Sequence, residues 1–245
     1  MTWPATTSRA ESGFVRRCPG WQWIRTCSVR KSFYSAAMTD ARPTVSEYTI
    51  SPLGPDTWEA FARLAERHNG VWGGCWCTWF HCIGQARLSA DPVFAEKEPG
   101  PAGNRALKER LVNEGRAHAA LVFDGDEAVA WCEYGHPAEL PNIYHRKQYE
   151  TGLDRLPDYR LTCFFVDRHY RRQGMAGVAL QGALRLIAQA GGGLAEGYPH
   201  DTGGQKISAS FLYNGTRSLF EQAGFSYVRP KGKSNCVMRK TVRHG

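Results

Sequence analysis

The sequence predicts an α/β (α+β) domain, with helices and strands gathered around one central sheet. Three observations lead there. A period-two stretch, Val45 to Ile50, runs into a helical one. Two β-prone runs flank the tight-turn signal Asp124-Gly125-Asp126. A third β-prone run, Arg160 to Val166, leads through a basic, glycine-bearing turn into another helix.

In chain order, residues 1–37 hold six Lys/Arg and one acid, are rich in Ser and Thr, and show no sustained period. They read as a disordered extension ahead of a domain at 38–245. Two origins stand: a composition of organelle-transit type, or a stretch upstream of a translation start at Met38, favoured because Met38-Thr39-Asp40 and a polar lead open onto the first strand. Pro55-Asp56-Thr57 then starts a helix in which Trp58, Phe61, Ala62, Leu64 and Ala65 recur at helical spacing. Asn69-Gly70 ends it, and the aromatic, cysteine-rich run Val71 to Ile83 fits neither period.

Asn104 to Glu114 predicts a second helix, with Leu107, Leu111 and Val112 inward and the charges outward. His118 to Phe123 and Glu127 to Tyr134 form a hairpin. Gly135 to Asp158 is a connection with three prolines, of a length that more often carries function than filler. After the glycine turn a helix runs to about Ala190 with Ala176, Leu180, Ala183, Leu184 and Ile187 on one face. Gly193 to Tyr198 is a short strand, and Gly224 stops a further helix that contains Leu219 and Phe220.

The net charge of +8 points first to an anionic partner, but outside residues 1–37 only 25 basic residues face 22 acidic ones. A nearly balanced body reads as a solvated surface, with no nucleic acid partner. Eight cysteines in 245 residues depart from the short, cysteine-dense pattern of secreted scaffolds. No stretch approaches the ~18 consecutive apolar residues of a membrane span, and the N-terminus has no apolar h-region. The expectation is a cytoplasmic protein without a membrane partner; a homodimer is compatible with it.

The chemistry concentrates after Val166, where the chain reads Asp-Arg-His-Tyr-Arg-Arg-Gln-Gly-Met-Ala-Gly to Gly177. Backbone N–H groups at a helix start have no intrahelical partner and lie at the positive end of the macrodipole, so they bind phosphate oxygens. Gly174 and the small Ala176 let a pyrophosphate come close, and Arg171 and Arg172 add positive charge. Arg171-x-x-Gly174-x-Ala176 resembles the Arg/Gln-x-x-Gly-x-Gly/Ala signature of the GNAT acetyltransferases, and the order of elements over roughly 200 residues, Met38 to Val242, matches that family.

The resemblance implies a GNAT-like mixed, mostly antiparallel central sheet flanked by helices, with acetyl-coenzyme A as cosubstrate and no metal. It implies that the backbone of Phe164, Phe165 and Val166 pairs with the pantetheine arm, and that N–H groups of Arg172, Gln173, Gly174, Met175, Ala176 and Gly177 bind the pyrophosphate beside Arg171. The reaction it implies is acetyl transfer to a primary amine, on a small molecule or a protein, by direct attack in a ternary complex with strand N–H groups stabilising the oxyanion.

An amine must lose a proton before it attacks. Glu196 falls where some family members carry the carboxylate that takes it, and Glu133 and His136 are rivals. Phe220 stands where many members place a tyrosine that protonates the leaving thiolate; either Tyr213 or another tyrosine takes the role, or the thiolate leaves without an acid. Asn214 lies six residues before Phe220 where seven is usual for the family. The Phe220 departure keeps a second class open, a non-catalytic acyl-coenzyme A sensor.

In Gly73 to Cys82 the Cys-x-Cys and His-Cys spacing lacks the separated pairs of a structural zinc site. The run reads instead as an aromatic wall of Trp72, Trp76, Trp79 and Phe80 for an apolar or cationic acceptor, with Trp76, Trp79 and Glu133 as substrate contacts. Core packing is an equal reading for any single one of them.

Overall fold

The structure is a computed structural model and describes residues 48–82, 94, 98–203, 207–208 and 211–245. The extension at 1–37 and the domain start at Met38 lie outside the described residues. The first described strand, β1, is Thr49–Pro52. A 3-10 turn at Pro55–Thr57 leads into helix α1, Trp58–Glu66, and the five residues with helical spacing are all buried in it. Proline suits such a start because its missing N–H would be unpaired there in any case.

Helix α2, Gly100–Asn113, begins four residues earlier than expected. It also corrects the expectation that its charges point outward. Leu107, Leu111 and Val112 face the core, and Lys108, on the same stripe, is buried with them. The hairpin forms as expected from β2, His118–Asp124, and β3, Glu127–Gly135. The proline-bearing connection carries a short helix of its own, α3, Arg146–Thr151.

Strand β4, Tyr159–Val166, is followed by helix α4, Met175–Gln189, and then by β5, Gly193–Gly197. Helix α5, Arg217–Gln222, and the hairpin of β6, Ser226–Lys231, and β7, Asn235–Val242, complete the fold.

The seven strands form one sheet in the order β1-β2-β3-β4-β5-β7-β6. Only β4 and β5 are parallel, and the other neighbours are antiparallel. The mixed, mostly antiparallel sheet flanked by helices is therefore present. One core joins α4 to the sheet through Leu180, Ala183 and Ile187. A second, built on Phe61, Trp131, Leu111 and Phe165, fills the space under α1 and α2. Burying a side chain of this size contributes about 1.5–3 kcal/mol, so these two layers hold β3 and β4 from both faces.

Candidate functional site

The parallel pairing of β4 with β5 covers only Tyr159, Arg160 and Leu161 opposite Ala195, Glu196 and Gly197. Two local causes end it. Strand β4 carries one extra residue against β3, because Leu161 faces Tyr134 while Phe164 faces Cys132; such a bulge bends its strand. Strand β5 stops at Gly197, and Pro199 has no N–H with which to continue a ladder. The backbone there turns to the far side, where Pro199 O accepts from Cys236 N at 3.0 Å.

Past this point β4 has an open edge. Phe164 N–H, on that edge, donates to Tyr213 O at 2.6 Å. Val166 O accepts from Arg171 Nε at 3.3 Å. The vertex of the split is filled by Phe220, which is fully buried; a Cβ on Gly197 would lie 2.1 Å from its Cε1. Asn214, 4% exposed, has a buried Oδ1 with no hydrogen-bond partner. A buried acceptor left unpaired costs about 1–3 kcal/mol, so a ligand N–H at this position would be well received.

At the far end of β4, Asp167 accepts from His169 N at 2.9 Å and closes a 3-10 turn over Arg168–Tyr170. Arg172 and Gly174 then adopt φ of 62° and 82°. The left-handed conformation costs a residue with a Cβ roughly 1–2 kcal/mol, which accounts for the glycine and makes Arg172 a strained position. Gly174 O accepts from Gly177 N at 2.8 Å and Val178 N at 3.2 Å, so α4 starts directly on the turn. Arg171, Arg172 and Gln173 are exposed around it, while Met175 is buried and anchors the first helical turn.

The aromatic run divides between the two readings. Trp76 is 4% exposed and packs on Trp58 and Phe61, a core residue and not an acceptor contact. Trp79 stacks on Tyr144 at 3.9 Å and 13°, and Tyr213 stands 6.0 Å from Trp72 and 6.1 Å from Tyr144. Trp72, Trp79, Tyr144 and Tyr213 thus make a partly exposed aromatic patch beside the open edge of β4. Burial holds the Tyr213 phenol well above its ordinary pKa, with Tyr144 adding to the shift, so it keeps its proton at neutral pH. Burial likewise raises the Cys75 thiol to about 11. Among the described residues there is no group of three His, Cys, Asp or Glu suited to a metal ion.

The carboxylates behave differently from a base that meets an acceptor. Glu196 is fully buried; Oε1 accepts from Tyr149 Oη at 2.7 Å and Tyr198 Oη at 2.8 Å, and Oε2 from Arg239 Nε at 2.6 Å. Both oxygens are committed. Glu133, fully buried as well, sits between Lys108 Nζ at 2.6 Å, Thr162 Oγ1 at 2.7 Å and His81 Nε2 at 3.3 Å, which removes it as an acceptor contact. Burial alone would raise its pKa, but Lys108 and His81 more than offset that and bring it to about 2. His136 is exposed, with Nδ1 2.9 Å from Asp158 O.

Lys108 and Arg160 were not singled out from sequence. The available signal was a cation on the i+4 position of an apolar helix stripe and another within a continuous β-prone run.

No family model matches the chain, and no curated protein matches it. Among solved structures it is similar to a protein from Desulfovibrio desulfuricans described as an acetyltransferase of the GNAT family, at 15% identity over 80% of this chain and 99% of that one, TM-score 0.42. It is similar to the PaiA N-acetyltransferase of Thermoplasma acidophilum in complex with coenzyme A, at 15% identity over 79% and 98%, TM-score 0.42. A third is the ribosomal-protein-S18-alanine N-acetyltransferase of Escherichia coli, at 12% identity over 81% and 96%, TM-score 0.39.

Proposed function

We propose that this protein is a GNAT-type N-acyltransferase that moves an acetyl group from acetyl-coenzyme A to a primary amine by direct attack in a ternary complex, in the cytoplasm. The observation that carries the reading is the alignment of two features on β4. The open edge at Phe164 to Val166 ends on a left-handed glycine turn that starts α4. A strand edge offers N–H and C=O groups to an extended amide-bearing arm, here once Tyr213 O and Arg171 Nε release Phe164 N–H and Val166 O, and a helix start offers N–H groups to phosphate.

Acetyl-coenzyme A supplies an activated thioester whose acyl carbon accepts the amine. The chain's own part is to bind and orient it: Phe164, Phe165 and Val166 along the arm, Arg172 to Ala176 at the pyrophosphate with Gly177 N–H spent on Gly174 O, Arg171 alongside. The patch of Trp72, Trp79, Tyr144 and Tyr213 suits an apolar or cationic acceptor, by packing or cation–π attraction. Tyr213 holds its proton beside the open edge and is our candidate acid. Glu196, tied to two tyrosines and an arginine, we assign to holding β5 and β7 in place, and the amine proton leaves by another route.

The committed oxygens of Glu196 and the phenylalanine at position 220 also favour a second reading, a coenzyme A-binding sensor without turnover. Calorimetric titration with acetyl-coenzyme A, followed by thiol release across an amine library, separates them. Binding with release establishes the enzyme, binding without release across the library favours the sensor, and no binding by folded protein overturns both.

A further inference from the structure

Of the buried cations among the described residues, Arg160 is the one that lines a cavity. Arg160 on β4 is 5% exposed. Its Nη1 donates to Leu140 O at 2.6 Å and reaches Pro137 O at 3.5 Å, and its Nε has no hydrogen bond. A guanidinium carries five N–H donors in a planar fork, and here Nη1 is spent on carbonyls, with no carboxylate hydrogen-bonded to the group.

The natural counter-charge is spoken for. Glu196 lies opposite Arg160 in the β4–β5 register, yet its oxygens go to Tyr149, Tyr198 and Arg239. Tyr149 instead presents its ring to two cations, Arg160 at 5.6 Å and Arg229 at 5.3 Å. Arg229 is held by a backbone carbonyl, Tyr149 O at 2.8 Å, with its own Nε unpaired. Lys231 is 2% exposed with Nζ 5.1 Å from the Tyr198 ring. Positive charge is in excess around Arg160, and a buried cation without a carboxylate is costly.

Arg160 lines a cavity of about 450 Å3. Its walls are largely apolar: Pro137, Pro141, Ile143, Tyr149, Leu153 and Leu156. The exposed end is marked by Arg146 and Glu150, which pair with each other at 2.7 Å and so leave Arg160 as the unneutralised charge of the lining. Volume, apolar walls and one convergent charged group are the attributes of a small-molecule site.

We propose that this cavity binds an organic monocarboxylate with an apolar body, its carboxylate paired with the guanidinium of Arg160 in the cavity wall. The pairing would neutralise the buried guanidinium with planar, charge-assisted hydrogen bonds, while the walls take the hydrocarbon portion. Inorganic phosphate suits the cavity less, having no apolar body and meeting only one interior guanidinium. The site does not depend on acyl transfer, although Arg160 lies two residues, roughly 7 Å of strand, from Thr162, where β4 leaves β5.

The test is calorimetric titration of the full chain with 3-phenylpropionate, hexanoate and butyrate, each beside its primary amide, which keeps shape and removes charge. At least one acid should bind saturably and at least about tenfold more tightly than its amide. Arg160→Met should abolish that preference while the protein remains folded by circular dichroism; Arg146→Met, at the rim, should retain it. If no acid is preferred over its amide, the proposal is wrong whatever the variants do. Retention of the preference in Arg160→Met, or its loss in Arg146→Met alone, would overturn it equally. Acetyl-coenzyme A titration of the same samples reports separately on the acyl-transfer reading.

Discussion

Lys108 Nζ lies 2.6 Å from Glu133 Oε1, and each side chain is 1% exposed, so α2 and β3 are joined by an ion pair cut off from water. Thr162 and His81 complete the pair's surroundings and bring in β4 and the aromatic run. Losing one member of such a pair leaves an uncompensated buried charge. Lys108→Met should therefore destabilise the fold by about 3–5 kcal/mol in urea titration, and adding Glu133→Gln should restore part of the loss.

The same pair sets an acid limit. The Glu133 carboxyl falls from its ordinary 4.5 to about 2 in the folded protein, because Lys108 and His81 outweigh the cost of burial. A depressed carboxyl contributes stability above its unfolded pKa and loses it as pH falls toward the folded one. Urea midpoints should drop between pH 4.5 and 2 in the wild type, and Glu133→Gln should flatten that portion of the profile.

Lys231 should give a slope of the same sign in an alkaline window, but as a burden at neutral pH where Glu133 is a gain. Burial lowers its pKa from 10.5 to about 8 against the pull of Glu196. The unfolded chain then holds more protons than the folded one between pH 8 and 10.5, so this group makes stability rise with pH across that window. At pH 7 the buried charge is a net burden, and Lys231→Met should raise stability by about 1–3 kcal/mol, read from urea midpoints.

Gly174 adopts φ 82° with open space where a Cβ would stand, so substitution there strains the backbone without an internal clash. Gly174→Val should cost about 1–2 kcal/mol of stability and weaken coenzyme A binding by more than about tenfold, measured by calorimetry. Unchanged affinity would remove the turn as the phosphate site.

Glu196→Gln places an amide against Arg239, which keeps Asp154 as a second partner at 2.7 Å. The expected result is a stability loss of about 1–3 kcal/mol with the pH profile of turnover unmoved. Loss of the acidic limb in that profile would return Glu196 to the role of base.

Much of this architecture was legible because its signals are local. Asp124-Gly125-Asp126 fixes a hairpin by itself, and the stripe from Trp58 to Ala65 needs only its spacing to be read as a buried helix face. The glycine turn after β4 was legible for the same reason. Val71 to Cys77 resisted because Val71, Trp72, Trp76 and Cys77 all take positive φ between 44° and 52°, a run of left-handed residues with no periodic signature. The fates of Glu196 and Glu133 were not legible, and Lys108 left only its place on an apolar stripe as a sign. Each depends on partners brought from other elements, 43 residues away for Arg239 and 25 for Lys108, and residue type alone does not say whether a carboxylate meets solvent or a buried cation.

The bond from Phe164 N–H to the carbonyl of Tyr213 makes the protein its own competitor. A ligand strand that docks on the open edge of β4 has to displace a peptide group tethered 49 residues along the same chain, a competitor that is always present. Binding there exchanges one hydrogen bond for another, so the net gain must come from the phosphates and the acyl end. Acyl-coenzyme A would be told apart from any other extended amide by its two extremities, and swinging Tyr213 aside would free its phenol at the moment the arm arrives.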